Sequence, residues 1–108
     1  MIQPTKLKEL LKELKNGLEV IYGSRLRGFY LFGSYARGEQ DDESDVDALI
    51  VLDHFESYYA EIHRTGQLAS DLSLKYSVTI SEVFMKEMQW LYGDTPFLMN
   101  IRPEVTAA

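Results

Sequence analysis

Leu7, Leu10, Leu11, Leu14, Leu18 and Ile21 recur three and four positions apart between Lys and Glu residues, with Pro4 tolerable in a first turn and Gly23 as a stop. That spacing predicts an amphipathic helix with one apolar face. Gly28-Phe29-Tyr30-Leu31-Phe32 is too short and too continuous in apolar character for a helix and reads as a first strand. Asp45-Val46-Asp47-Ala48-Leu49-Ile50-Val51-Leu52 reads as a second, buried strand. A helix is expected from Glu56 to Tyr76, with Tyr59, Ile62, Leu68, Leu72 and Leu74 as its apolar face and Gly66 as a weak point in its middle. Ser77 to Phe84 alternates and is β-branched, which predicts a third strand. Lys86 to Tyr92 suits a short helix, and Gly93-Asp94-Thr95-Pro96 restarts a turn or helix carrying Phe97, Leu98 and Ile101. The sum is an α+β domain: a small mixed β-sheet packed by helices.

Length limits this to one domain, residues 1–108, because a chain of 108 residues with 45% hydrophobic content fills one core and not two. A net charge of −6 and a pI near 4.8 exclude an extended phosphate-binding surface, so nucleic acid is not expected as a direct partner. With no cysteine there is neither a disulfide framework nor a thiolate zinc site, which suits a reducing compartment. No segment has the length of a membrane span, and Met1-Ile2-Gln3-Pro4 leads into a polar helix. The cytoplasm is the expected location.

The chemistry concentrates between the first two strands. Gly33-Ser34 follows the first strand directly, where a glycine lets backbone N–H groups approach a phosphate closely. Asp45 and Asp47 stand two apart in an extended segment, so their carboxylates share one face. Such a pair suits Mg²⁺, which takes few protein oxygens and keeps positions for water and nucleotide phosphates. Asp41, Asp42, Glu43, Asp45 and Asp47 place five carboxylates in seven residues, and like charges that close repel unless solvated or bound to cations. Asp41, Asp42 and Glu43 read as a solvated turn, with Ser44 orienting it. His54 and His63 are nine apart and match no zinc spacing. Tyr58, Tyr59, Tyr76, Trp90, Tyr92 and Phe97 read as core or interface residues.

Gly33-Ser34, the Ala36-Arg37-Gly38 continuation, ten residues from Tyr35 to Ser44, and Asp45-Val46-Asp47 together resemble the signature of the polymerase-β-like nucleotidyltransferase superfamily. The chain is most similar in kind to its minimal nucleotidyltransferases, the MNT proteins encoded beside HEPN partners. The resemblance implies that superfamily's fold, with Asp45 and Asp47 catalytic and holding Mg²⁺, and with Gly33 and Ser34 binding the β and γ phosphates of ATP. Arg37 would add a charge-assisted contact to the triphosphate, its competing role being a salt bridge to a nearby carboxylate. Larger members carry a third carboxylate on the third strand. Here Ser77, Thr79 and Ser81 share the relevant face, and Glu82 is the nearest substitute. Strict alternation points Glu82 away with Val78 and Ile80, so only a bulge or strand end would bring it to the metal.

The function implied is an antitoxin-type transfer of AMP from Mg-ATP to a hydroxyl, with tyrosine the expected acceptor, of a cognate HEPN ribonuclease toxin in a hetero-oligomer. Two other readings stay open. One is a non-catalytic antitoxin that masks the toxin by binding. The other is a small-molecule transferase resembling the aminoglycoside-modifying enzymes, which have an added helical domain.

Overall fold

The computed structural model describes residues 2–108. A strand apolar on both faces must be covered on both, and this requirement sets the architecture. β2 (Val46–Leu52) is that strand: Val46, Ala48, Leu49, Ile50, Val51 and Leu52 are all fully buried, and Asp47 is the one polar residue in the run. It lies between β1 (Leu26–Phe32), its antiparallel neighbour, and β3 (Ile80–Lys86), its parallel one. A two-residue strand, β4 (Thr106–Ala107), pairs antiparallel with the outer edge of β1, giving the order β3-β2-β1-β4.

One face of the sheet carries α1 (Pro4–Tyr22) and α3 (Tyr58–Tyr76). Leu10, Leu14, Leu18 and Tyr22 recur every fourth residue, and this stripe packs with Leu72 against Phe29, Leu31, Ala48, Ile50 and Phe84. Tyr22, not Ile21, completes the stripe, because the step of four from Leu18 points inward while Ile21 turns to solvent. The end of α3 is tied to the middle of α1: the Lys75 ammonium donates to Glu13 at 2.7 Å, and the Tyr76 hydroxyl donates to the same carboxylate. Ser57 caps α3 by accepting from the Ala60 N–H at 3.2 Å. The Tyr58 hydroxyl takes the Phe84 N–H at 3.1 Å, satisfying part of the free edge of β3.

The other face carries α4 (Glu87–Tyr92) and α5 (Pro96–Ile101), which bring Leu98 and Ile101 onto Phe32, Leu49 and Val51, with Trp90 5.0 Å from Tyr30 between ring centroids. Thr95 caps α5 through the Leu98 N–H. The expected mixed α+β sheet is therefore present, with two differences. The third strand begins three residues later than the alternation suggests, because Ser77 ends α3 as a left-handed residue (φ 53°) with its N–H on the Ser73 carbonyl. The fourth strand is too short to leave a hydrophobic pattern.

Glu82 follows its alternation. It lies on the α1/α3 face, where the Thr65 hydroxyl and its Oε1 are 3.0 Å apart. Thr65 is fully buried and also within reach of the Glu61 carbonyl at 3.1 Å. One hydroxyl proton cannot serve both acceptors, so a neutral Glu82 that donates to Thr65 satisfies the group better than an anion does. Burial, partly opposed by Thr65, raises its pKa to about 7. Nearby, the buried Glu61 carboxylate accepts from the Tyr22 hydroxyl at 2.6 Å and from the Arg64 guanidinium at 3.2 Å. Because the folded pKa of Glu82 lies above its ordinary value near 4.5, the folded state holds a proton that the unfolded chain has released between those values. Stability from this group is complete below about pH 4.5 and is lost as pH rises through 7. Glu82→Gln is expected to remove that loss, making the variant more stable than the parent at pH 8 by on the order of 1–3 kcal/mol and little different at pH 4.5. Urea denaturation at the two pH values checks it.

Candidate active site

β1 ends at Phe32 and pairs there with Asp47, so the residue after β1 lies beside the first turn of β2. That residue is Gly33, which begins the short α2 (Gly33–Arg37) with φ +75°, a backbone conformation other residues rarely adopt. A Cβ there would fall 2.0 Å from Asp47 Oδ2. The carboxylate thus occupies the space that glycine leaves open. Gly38, also left-handed, ends α2, and its N–H and that of Glu39 both bond the Ser34 carbonyl.

The acidic turn is shaped by its own side chains. Ser44 Oγ accepts from the Asp41 N–H at 2.9 Å, and Asp41 Oδ1 accepts from the Glu43 N–H at 2.9 Å, which closes the loop and delivers Asp45 to the start of β2. Asp45 is exposed and Asp47 half-buried. Burial first, then the Asp45 charge, raises the Asp47 pKa; Arg37 opposes this and Glu104 adds to it. A cleft of about 520 Å³ opens beside Asp45, with Tyr35, Ser73, Ser77 and Thr79 among its walls.

Arg37 sits behind Gly33 in two ion pairs. Its Nε donates to Glu39 at 2.9 Å and its Nη1 to Glu104 Oε2 at 3.0 Å. The second oxygen of Glu104 accepts from the Gly33 N–H at 3.1 Å. Arg37, followed by the Gly33 N–H against burial, holds the Glu104 carboxyl below the usual range. So Arg37 makes the salt bridge that was its alternative role. Glu104 was not foreseen: it lies 67 residues from Arg37 in an irregular stretch after α5, with no spacing to mark it.

Of the sequence candidates, Gly33, Ser34, Arg37, Asp45 and Asp47 come together at one end of the sheet. Glu82 does not join them. It pairs in register with Ala48, whereas Ser81 is the β3 residue opposite Asp47, so the third-strand position on this face carries a hydroxyl. His54 and His63 are both exposed, and His63 stacks on Tyr59. Among the described residues no group of three or more His, Asp or Glu side chains converges to hold a metal. Two carboxylates at a solvent-open edge, one with its charge resisted by the other, fit a hard divalent cation whose remaining positions go to water and phosphate oxygens.

A family model described as a nucleotidyltransferase domain matches residues 5–97. Two proteins of Methanocaldococcus jannaschii, each carrying the provisional name protein adenylyltransferase, are 40% and 39% identical to this chain. The first alignment covers 73% of this chain and 79% of that protein, the second 76% and 82%. A crystal structure of a toxin-antitoxin with AMP-PNP aligns over 76% of this chain and 55% of that one, at 24% identity and a TM-score of 0.44.

Gly33→Ala is expected to destabilise the fold by about 1–3 kcal/mol, from the positive φ and from overlap with Asp47. In an Asp47→Ala background the overlap is gone, so the same substitution should cost about 1 kcal/mol. Denaturation of the four proteins in a double-mutant cycle measures the coupling.

Proposed function

We propose that this chain, which belongs to the nucleotidyltransferase domain family, transfers AMP from Mg-ATP to a hydroxyl, with tyrosine the expected acceptor, of a HEPN-family toxin and so silences it. One observation carries the reading. Pairing of Phe32 with Asp47 holds a paired carboxylate against a glycine whose N–H and neighbouring guanidinium face an anion. A protein acceptor is supported by the provisional names of the two relatives. The toxin partner is supported by the likeness of the Gly33–Asp47 motif to minimal nucleotidyltransferases. No described helix is long and apolar enough to cross a membrane, and the reading places the protein with its partner in the cytoplasm.

In the transfer, an acceptor oxygen bonds to the α-phosphorus, the bond from that phosphorus to the bridging oxygen breaks, and pyrophosphate leaves with the bonding pair. The acceptor's proton passes to water. Asp45 and Asp47 would hold Mg²⁺, which when bound supplies neutralisation of the charge gathering on the phosphates. The Gly33 N–H and the Arg37 guanidinium supply fixed donors for phosphate oxygens, and Ser34 adds its hydroxyl beside them. With Ser81 opposite Asp47, no third-strand carboxylate is available as base. Water is the proton acceptor that this reading leaves for the third-strand side of the site.

Replacing Asp45 and Asp47 together by Asn is expected to leave the fold intact and abolish transfer. Because the folded pKa of Asp47 is raised, its ionisation opposes folding above the ordinary carboxylate range, so the variant should be the more stable protein at pH 7 in the absence of divalent cations. Intact-mass spectrometry of a co-expressed toxin reads the chemistry: AMP increments with the parent and none with the variant. Silencing of the toxin by both proteins with no mass change would replace transfer with masking.

A further inference from the structure

Glu104 holds the donors that a phosphate needs. Its two oxygens take one backbone N–H and one guanidinium N–H side by side, at 3.1 Å from Gly33 and 3.0 Å from Arg37, the way two oxygens of one phosphate are gripped. The carboxylate is mostly shielded, its side chain 19% exposed against 43% for Arg37. Main-chain bonds anchor its segment. The Glu104 and Val105 N–H groups both donate to the Ile101 carbonyl, Thr106 and Ala107 pair with β1, and the Ala108 N–H bonds Phe29. The anchor thus lies in the backbone on either side, while the side-chain carboxylate is held by Gly33 and Arg37.

An anion in this position adds to the field that resists ionisation of Asp47. A triphosphate brings more negative charge to the same place and needs the same two donors. The two cannot occupy them together.

Resting on the nucleotidyltransferase reading above, we propose that Glu104 sets the affinity for nucleotide: its carboxylate occupies the Gly33 N–H and the Arg37 guanidinium in the free protein, and two phosphate oxygens of the incoming triphosphate displace it. Because its segment stays tethered to α5 and β1, Glu104 remains at high local concentration and competes equally with the departing pyrophosphate. It weakens substrate binding and hastens product release by the same contact.

Titration calorimetry with Mg-ATP, and separately with Mg²⁺ and inorganic tripolyphosphate, on the parent, Glu104→Gln and Glu104→Ala tests this, together with the Gly33 amide resonance of each free protein. Both variants are expected to bind both ligands about tenfold more tightly than the parent. The Gly33 amide of free Glu104→Ala should already be displaced from its parent position. Glu104→Gln keeps the side chain's size and an acceptor oxygen, so a folding defect confined to Glu104→Ala leaves the comparison intact. If the parent binds and the variants bind equally or more weakly, the displacement proposal is overturned while the nucleotide site stands. If neither the parent nor the variants bind either ligand, the nucleotidyltransferase reading fails, and the role of Glu104 fails with it.

Discussion

The pairing of Phe32 with Asp47 is the contact on which the site depends. β2 is apolar on both faces, so hydrophobic alternation alone does little to fix its register, and a slip by one residue would exchange one buried aliphatic set for another. Asp47 breaks that degeneracy. In the observed register it emerges at the sheet's end beside a residue with no side chain, where its carboxylate fits the space a Cβ would fill. Slipped by one, it would face the Leu10, Leu14 and Leu18 stripe of α1, where an unpaired carboxylate is strongly disfavoured. The same residue to which the proposed function gives the chemistry helps specify the sheet.

Among the described residues, anionic groups outnumber cationic ones at this edge. Of these residues, Asp45, Asp47 and Glu104 meet the one guanidinium of Arg37, itself shared with Glu39. In water such an arrangement is tolerated because Asp45 is exposed and Asp47 only half-buried, but it leaves a standing demand for positive charge. On the proposed reading, a metal-bound nucleotide would meet that demand with its cation and contest Arg37 with its phosphates. Cation binding and release of Glu104 would then be two halves of one electrostatic exchange.

The elements with strong periodicity were legible in the sequence: α1 from its leucines, β2 from its apolar run, α3 to within two residues of its start, and the carboxylate pair with its glycine turn. Ser77 was misread as strand because β-branched alternation does not reveal that a serine closes a helix in the left-handed region. β4 and Glu104 were invisible for a different reason. They are placed by the packing of Leu98 and Ile101 beneath the sheet, which carries the following residues back along β1. That is a tertiary consequence, and no local pattern encodes it. The face of Glu82 was legible from strict alternation, since the strand runs through it without a bulge.

Glu82 and Asp47 also show why a perturbed carboxylate is not by itself a catalytic one. Burial raises both, and Glu82 is the one carried as far as neutrality. Yet Glu82 sits behind the sheet with Thr65, on the face opposite to Asp47, and its second oxygen is closed off from solvent with no hydrogen-bond partner. Its response to burial is a raised pKa, which works against the charge a metal ligand needs. Asp47 lies one strand away on the opposite face, half-open, with a second carboxylate and an array of donors around it. There, on the proposed reading, the resisted charge would be relieved by an incoming cation. Position on the sheet, decided by a single step of alternation, separates a carboxylate that adds to the pH dependence of folding from one placed beside the Gly33 turn.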